Sequence, residues 1–233
     1  MHKNTSYINK YFSILGDSIS TFEGYSEPKS AVYYDSFYKR ASGVVTLLDT
    51  WWGQVIEKLG GKLLVNHSWS GSRVTHSPFC EVPSFACSNE RTSALGKEDV
   101  LPDVIIVFMG VNDWGAGVAI NSENPQEKNA DAFFLTAYES MLKKLKINYP
   151  NAEIWCMTLP ISCCLKNENF AFTPSYAGRH IAEYCQAIQS CATQYACRVI
   201  DLYNCGKAYD TIDGFHPNVS GMQTLAQAVM EEI

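Results

Sequence analysis

A serine near the start of the chain and a histidine and aspartate near its end sit in contexts suited to nucleophilic chemistry. Ser18 lies in Gly16-Asp17-Ser18, and His216 in Asp213-Gly214-Phe215-His216-Pro217-Asn218. A serine hydroxyl attacks well only when a base within hydrogen-bonding reach takes its proton. An imidazole such as that of His216 can act as this base near neutral pH, where it is largely unprotonated. Asp213, close before it in sequence, can accept from the other ring nitrogen and fix the tautomer. Attack on an acyl carbon also requires donors for the developing oxyanion. Two further segments supply suitable groups: Asn66-His67-Ser68-Trp69-Ser70-Gly71 and Gly110-Val111-Asn112-Asp113. The backbone N–H groups of Ser18 and Gly71 and the Asn112 carboxamide are of the right kind. One such donor is worth ~3–4 kcal/mol in the transition state. Taken singly, each segment is ordinary turn chemistry. Their joint order and placement carry the argument.

The placement follows from the elements between them. Five short apolar runs read as buried parallel strands: Tyr11–Leu15, Lys62–Val65, Val104–Met109, Glu153–Thr158 and Arg198–Leu202. The third is apolar throughout, as in a strand covered on both faces. Helical stripes alternate with them. Asp49 is expected to cap a helix carrying Trp52, Val55, Ile56 and Leu59, with Gly60 ending it. Phe134, Ala137, Tyr138, Met141, Leu142 and Leu145 form a second stripe, stopped by Asn148–Pro150. Ile181, Tyr184, Cys185, Ile188, Cys191 and Tyr195 form a third. Met222, Leu225, Ala226 and Val229 form the last, with Asn218 as its cap. This alternation predicts an α/β fold with a parallel sheet between two helical layers. Ligands of such sheets sit beyond the carboxyl ends of the strands. Three of the four polar motifs directly follow a strand there, and the fourth follows the last strand and precedes the last helix.

In this order and spacing, GDSIS, NHSWSG, GVND and DGFHPN resemble the four motif blocks of the SGNH hydrolases, the GDSL-like lipases and esterases. The motifs span residues 16 to 218. The resemblance implies a flavodoxin-like three-layer α/β/α fold with a five-stranded parallel sheet and one SGNH hydrolase domain over residues 1–233. It implies Ser18 as nucleophile, Asp213 and His216 as the rest of a triad, and Ser18, Gly71 and Asn112 as oxyanion donors. One departure is visible: many members have glycine third in the second block, where this chain has Ser68. Gly71 is the position with the donor role.

The remaining residues are weighed against plainer roles. Asp17 organises the turn before Ser18, and Trp52 belongs to a core stripe. His67, His76 and His180 lack metal-ligand spacing, and so do the nine cysteines, which include no C-x-x-C pair. No metal or other cofactor is therefore expected, and buried free thiols suit a reducing, cytoplasmic setting. Trp114 and Arg73 are the substrate-binding candidates, against packing for the first and loop anchoring for the second. Substrate choice falls to the long connections at residues 22–50, 72–99 and 160–178. The first carries Tyr33, Tyr34, Phe37 and Tyr38, which could stack on a sugar ring or line an acyl groove, with packing of that loop onto the body as the favoured reading.

A net charge of −6 and no basic run argue against nucleic acid or an anionic membrane as partner. No stretch approaches a membrane span, and none suits interfacial lipid binding. The sequence reading is therefore a serine esterase of small acyl esters, including O-acetyl esters of carbohydrates. Lipases, lysophospholipases and thioesterases share these motifs. A non-catalytic binding module on the same fold is the alternative from another class.

Overall fold

The computed structural model describes residues 5–26, 31–76, 85–122 and 130–233. Parts of the connections at 22–50 and 72–99 thus lie outside the described residues, as does Cys80. The central sheet has five parallel strands: β1 (Tyr11–Gly16), β2 (Lys62–Asn66), β3 (Val104–Phe108), β4 (Glu153–Met157) and β8 (Arg198–Ile200). Their order is β2-β1-β3-β4-β8. This is the flavodoxin-like order, which reverses direction between β1 and β3 and opens a crevice at their carboxyl ends. Short pairs lie outside the sheet: β5 (Ser162–Cys163) with β9 (Tyr209–Asp210), and β6 (Ser175–Tyr176) with β7 (Arg179–His180).

Alternation along β3 explains its continuous apolar run. Ile105 and Val107 point into one core with α5 (Phe134–Asn148) and α6 (Ile181–Gln194). Val104, Ile106 and Phe108 point into the other, with α2 (Trp51–Leu59) and α7 (Val219–Glu231). No side chain of the strand is more than 2% exposed, and burial of such a side chain contributes roughly 1.5–3 kcal/mol. The result is a three-layer α/β/α sandwich.

One cap differs from expectation. Asp49 does not cap α2; Thr50 does, its Oγ1 accepting from Gly53 N at 3.0 Å. The Asp49 carboxylate is used one turn earlier, accepting from Thr46 N at 2.7 Å and Thr46 Oγ1 at 2.8 Å. That closes a 3-10 turn over Leu47–Asp49 and points the carboxylate back toward Thr46 rather than toward the helix. Three short helices had no periodic signal because each is only five residues long: α1 (Tyr38–Ser42), α3 (Asn89–Ser93) and α4 (Val111–Gly115). Among the described residues no helix is long and apolar enough to cross a membrane. The eight described cysteines are free thiols.

Candidate active site

The chain leaves β1 at Gly16 in tight surroundings: a Cβ there would lie 2.7 Å from Ser68 Oγ and 2.8 Å from Ser20 Cβ. Ser68 is itself buried, donating through Oγ to Asn66 Oδ1 at 2.6 Å. Asp17 then caps the 3-10 turn Ser18–Ser20, accepting from Ile19 N at 3.0 Å. Burial pushes the Asp17 carboxyl up to about 7, against the pull of that N–H and of Arg91. The cap turns Ser18 back over the strand end.

The segment after β2 is held by two buried side chains. Arg91 Nε donates to His67 Nδ1 at 3.1 Å, Nη1 to Ser72 Oγ at 2.5 Å, and Nη2 to Gly16 O at 3.0 Å and to His67 O. Asp113 accepts from Val74 N (2.8 Å), Thr75 N (3.1 Å) and Thr75 Oγ1 (2.8 Å). It thereby ties the segment just after the second motif to α4, which carries Val111, Asn112 and Asp113 of the third. Its burial raises it to about 6, despite those three donors. His67 is an acceptor for Arg91 in this strap. Burial first, and the Arg91 charge second, lower it to about 4. Gly71 adopts φ +76°, and a Cβ there would meet nothing within 4 Å. Glycine is thus required by backbone conformation, not by space. Among the described residues neither Gly71 N–H nor Ser18 N–H has a hydrogen-bond acceptor.

The fourth motif is held by its own aspartate. Asp213 Oδ1 accepts from Phe215 N (3.0 Å) and His216 N (2.8 Å), while Oδ2 lies 2.7 Å from His216 Nδ1. Tyr34 Oη donates to Pro217 O and Tyr209 Oη to Phe215 O, each at 2.8 Å, fixing the backbone on both sides of His216. Asn218 caps α7, accepting from Gly221 N at 2.9 Å. His216 Nε2 then lies 2.9 Å from Ser18 Oγ. Burial opposes ionisation of Asp213, yet the His216 ring and the His216 and Phe215 N–H groups hold it well below the ordinary carboxylate range. An ionised Asp213 accepts a hydrogen bond from Nδ1–H, which keeps that proton on the ring and leaves Nε2 free to accept from the serine.

Ser18, Gly71, Arg73, Asn112 and His216 line one cavity of about 460 Å³. Asn112 Nδ2 donates one hydrogen to Ser72 O at 2.9 Å, which leaves its second N–H available. Ile19, Val111, Ala116, Tyr176 and Phe215 supply an apolar wall. Trp114 is not among the lining residues. It is 2% exposed and packs behind that wall, its ring 5.8 Å from Tyr176 and 6.3 Å from Phe215. It borders a smaller adjoining cavity of about 150 Å³. His180 caps α6 and His76 sits edge-on to Phe85; neither reaches the cavity wall. Among the described residues no His, Cys, Asp and Glu group could hold a metal ion.

One contact escaped the sequence. The Tyr33 ring stacks on the His216 imidazole with centroids 3.5 Å apart and planes 8° apart, and its hydroxyl donates to Asp213 Oδ2 at 3.1 Å. Tyr38 backs it at 4.4 Å. The cluster Tyr33–Tyr38 was legible as aromatic, but nothing in its spacing aimed it at the histidine. Tyr34 is a buried core residue and Tyr33 also packs against that core, so both show the packing role as well.

Residues 10–173 match the family described as GDSL-like Lipase/Acylhydrolase. No curated protein matches the chain by sequence. A candidate GDSL-like lipase of solved structure from Bacteroides uniformis is 30% identical, with TM-score 0.70, covering 97% of this chain and 95% of that one. One from Bacteroides ovatus is 24% identical, with TM-score 0.69 and coverage of 96% and 97%. A carbohydrate acetylesterase from Sinorhizobium meliloti shares the fold at 14% identity, with TM-score 0.64 and coverage of 96% and 98%.

Proposed function

Because the chain belongs to the GDSL-like lipase/acylhydrolase family, we propose that it is a serine esterase in which Ser18, His216 and Asp213 form the catalytic triad. The observation that carries this reading is the unbroken hydrogen-bonded line from Ser18 Oγ through His216 to Asp213, at 2.9 and 2.7 Å. His216 Nε2 takes the hydroxyl proton as Ser18 attacks the acyl carbon. The imidazolium so formed is stabilised by Asp213 and by the face of Tyr33. The oxyanion is received by Ser18 N–H, Gly71 N–H and the second Asn112 N–H, three donors around one cavity. His216 then gives its proton to the departing alcohol. Water repeats the sequence on the acyl-enzyme.

A cavity of about 460 Å³ suits a small ester. Partly exposed Tyr176 and Phe215 offer faces for a sugar ring. An O-acetyl ester of a carbohydrate is therefore the substrate class proposed, with Arg73 reaching it directly and Trp114 supporting the aromatic wall. The carbohydrate acetylesterase built on this fold is consistent with that choice. The test is steady-state hydrolysis of aryl esters of increasing acyl length and of acetylated sugars, by the wild type and Ser18→Ala. Acetyl esters should lead, and the folded variant should be inactive. Substantial turnover by Ser18→Ala would reject the assignment, and absence of turnover on every ester would favour a binding module.

A further inference from the structure

The chain has two arginines buried by nine-tenths or more near this site, and they are treated oppositely. Arg91 is 1% exposed and spends its donors on His67, Ser72 and Gly16. Arg73 is 9% exposed, yet among the described residues its guanidinium has no hydrogen bond and no ion pair. Asp113 is near enough to feel its charge, but that carboxylate is already occupied by Val74 and Thr75. Arg73 instead lines the cavity that holds Ser18 and His216. A buried guanidinium without acceptors is costly unless something in the cavity supplies them. The Arg73 nitrogens are not among the fully buried unpartnered atoms, so solvent water reaches them in the free protein. A neutral ligand that displaces the water strands the charge beside an apolar wall, whereas a carboxylate replaces the lost acceptors with two oxygens matched to the guanidinium fork.

We propose that the cavity is built for acidic esters, with Arg73 binding a carboxylate that the substrate carries beside its scissile ester bond. This rests on the esterase reading above and adds the substrate's charge to it. The chain's overall charge of −6 does not oppose it strongly, because salt screens charges beyond ~8 Å while the contact itself is made inside the cavity. The carboxylate has two possible positions: on the alcohol side, as in an acetylated uronic acid, or on the acyl side, as in a half-ester of a dicarboxylic acid.

Matched pairs separate these. Acetylated methyl glucuronide against acetylated methyl glucoside tests the alcohol side. 4-Nitrophenyl hydrogen succinate against its methyl ester tests the acyl side. At least one acidic member should exceed its neutral twin in kcat/KM by about tenfold or more, chiefly through KM. Arg73→Gln should collapse that ratio toward one, and Arg73→Lys should restore part of it. Ratios near one in the wild type for both pairs would overturn the proposal while leaving Ser18-dependent esterase activity intact. So would an Arg73→Gln variant that loses kcat equally on acidic and neutral members, since that would make Arg73 a transition-state group. Calorimetric binding of methyl glucuronide and of succinate to Ser18→Ala reads the same subsite without turnover. An Arg73-dependent heat supports the proposal even if the triad assignment fails. No binding of either anion, together with flat ratios, rejects it.

Discussion

His216 is held by three neighbours that act on different parts of its ring: Asp213 on Nδ1, Ser18 on Nε2 and Tyr33 on its face. These contacts rank the consequences of losing each partner. His216 moves a proton in both halves of the reaction, so His216→Ala should reduce kcat by about 10⁴-fold or more. Asp213 orients the ring and stabilises its charge, and Tyr33 still braces the imidazole when Asp213 is gone. Asp213→Ala should therefore retain at least about tenfold more activity on an activated aryl acetate than His216→Ala. Steady-state rates of both purified variants, with circular dichroism as the folding check, decide the order; equal loss would mean that the pair acts as one unit. Tyr33→Phe keeps the stack and loses only the hydroxyl on Asp213, and should lower kcat/KM by roughly two- to fivefold. Tyr33→Ala removes both and should cost more. An indifferent Tyr33→Ala variant would assign Tyr33 to packing alone.

At the scale of elements, the strands and long helices were legible because their burial follows strict periods. β3 is covered on both faces, so its run is continuous, and the stripes of α2, α5, α6 and α7 recur every three or four residues. The short helix α4 was hidden because five residues cannot display a period, yet it positions Asn112. Asp49 misled because a capping residue type does not reveal which of two adjoining turns consumes it. The cap Asn218 was legible and is testable. Asn218→Ala should lower stability by about 1 kcal/mol, read from chemical denaturation. The buried turn beside Ser18 makes stability depend on pH. Burial lifts Asp17 to about 7 and Asp113 to about 6, both above the unfolded value near 3.8. The folded state thus retains protons that the unfolded state releases, and stability falls as pH rises from about 4 to about 7. Asp213 is shifted the other way, so its contribution is complete above about 4 and is lost only in stronger acid. His67, lowered to about 4, works against this up to about 6.5, but the two aspartates together outweigh it, so the denaturation midpoint should be higher at pH 5.5 than at pH 8. Asp17→Asn, which keeps the capping oxygen, should flatten the difference; a midpoint that rises with pH would contradict this.

Across the whole molecule, the two cores share one sheet, since successive residues of β3 enter opposite cores. We propose that residues 1–233 fold as one hydrolase domain. Unfolding followed by tryptophan fluorescence and by far-ultraviolet circular dichroism should give coincident transitions, and two separate midpoints would divide the chain. The same shared sheet explains what could be read of the site. Ser18, Gly71 and Asn112 follow β1, β2 and β3, which are neighbours, so sequence position implied proximity. His216 was legible through its motif. Arg73 was legible as a candidate because it closely follows Gly71, but its unpartnered charge, and the place of Tyr33 on the imidazole face, depend on how loops fold over the strand ends, and no local pattern records that. The proposed mechanism turns on whether Ser18 is the activated nucleophile. The most direct measurement is labelling of the intact protein with a serine-reactive fluorophosphonate, with the adduct located by peptide mass spectrometry. A single adduct is predicted on Ser18, absent in Ser18→Ala and strongly slowed in His216→Ala. An unlabelled wild-type protein, or an adduct on another residue that persists in Ser18→Ala, would contradict the mechanism.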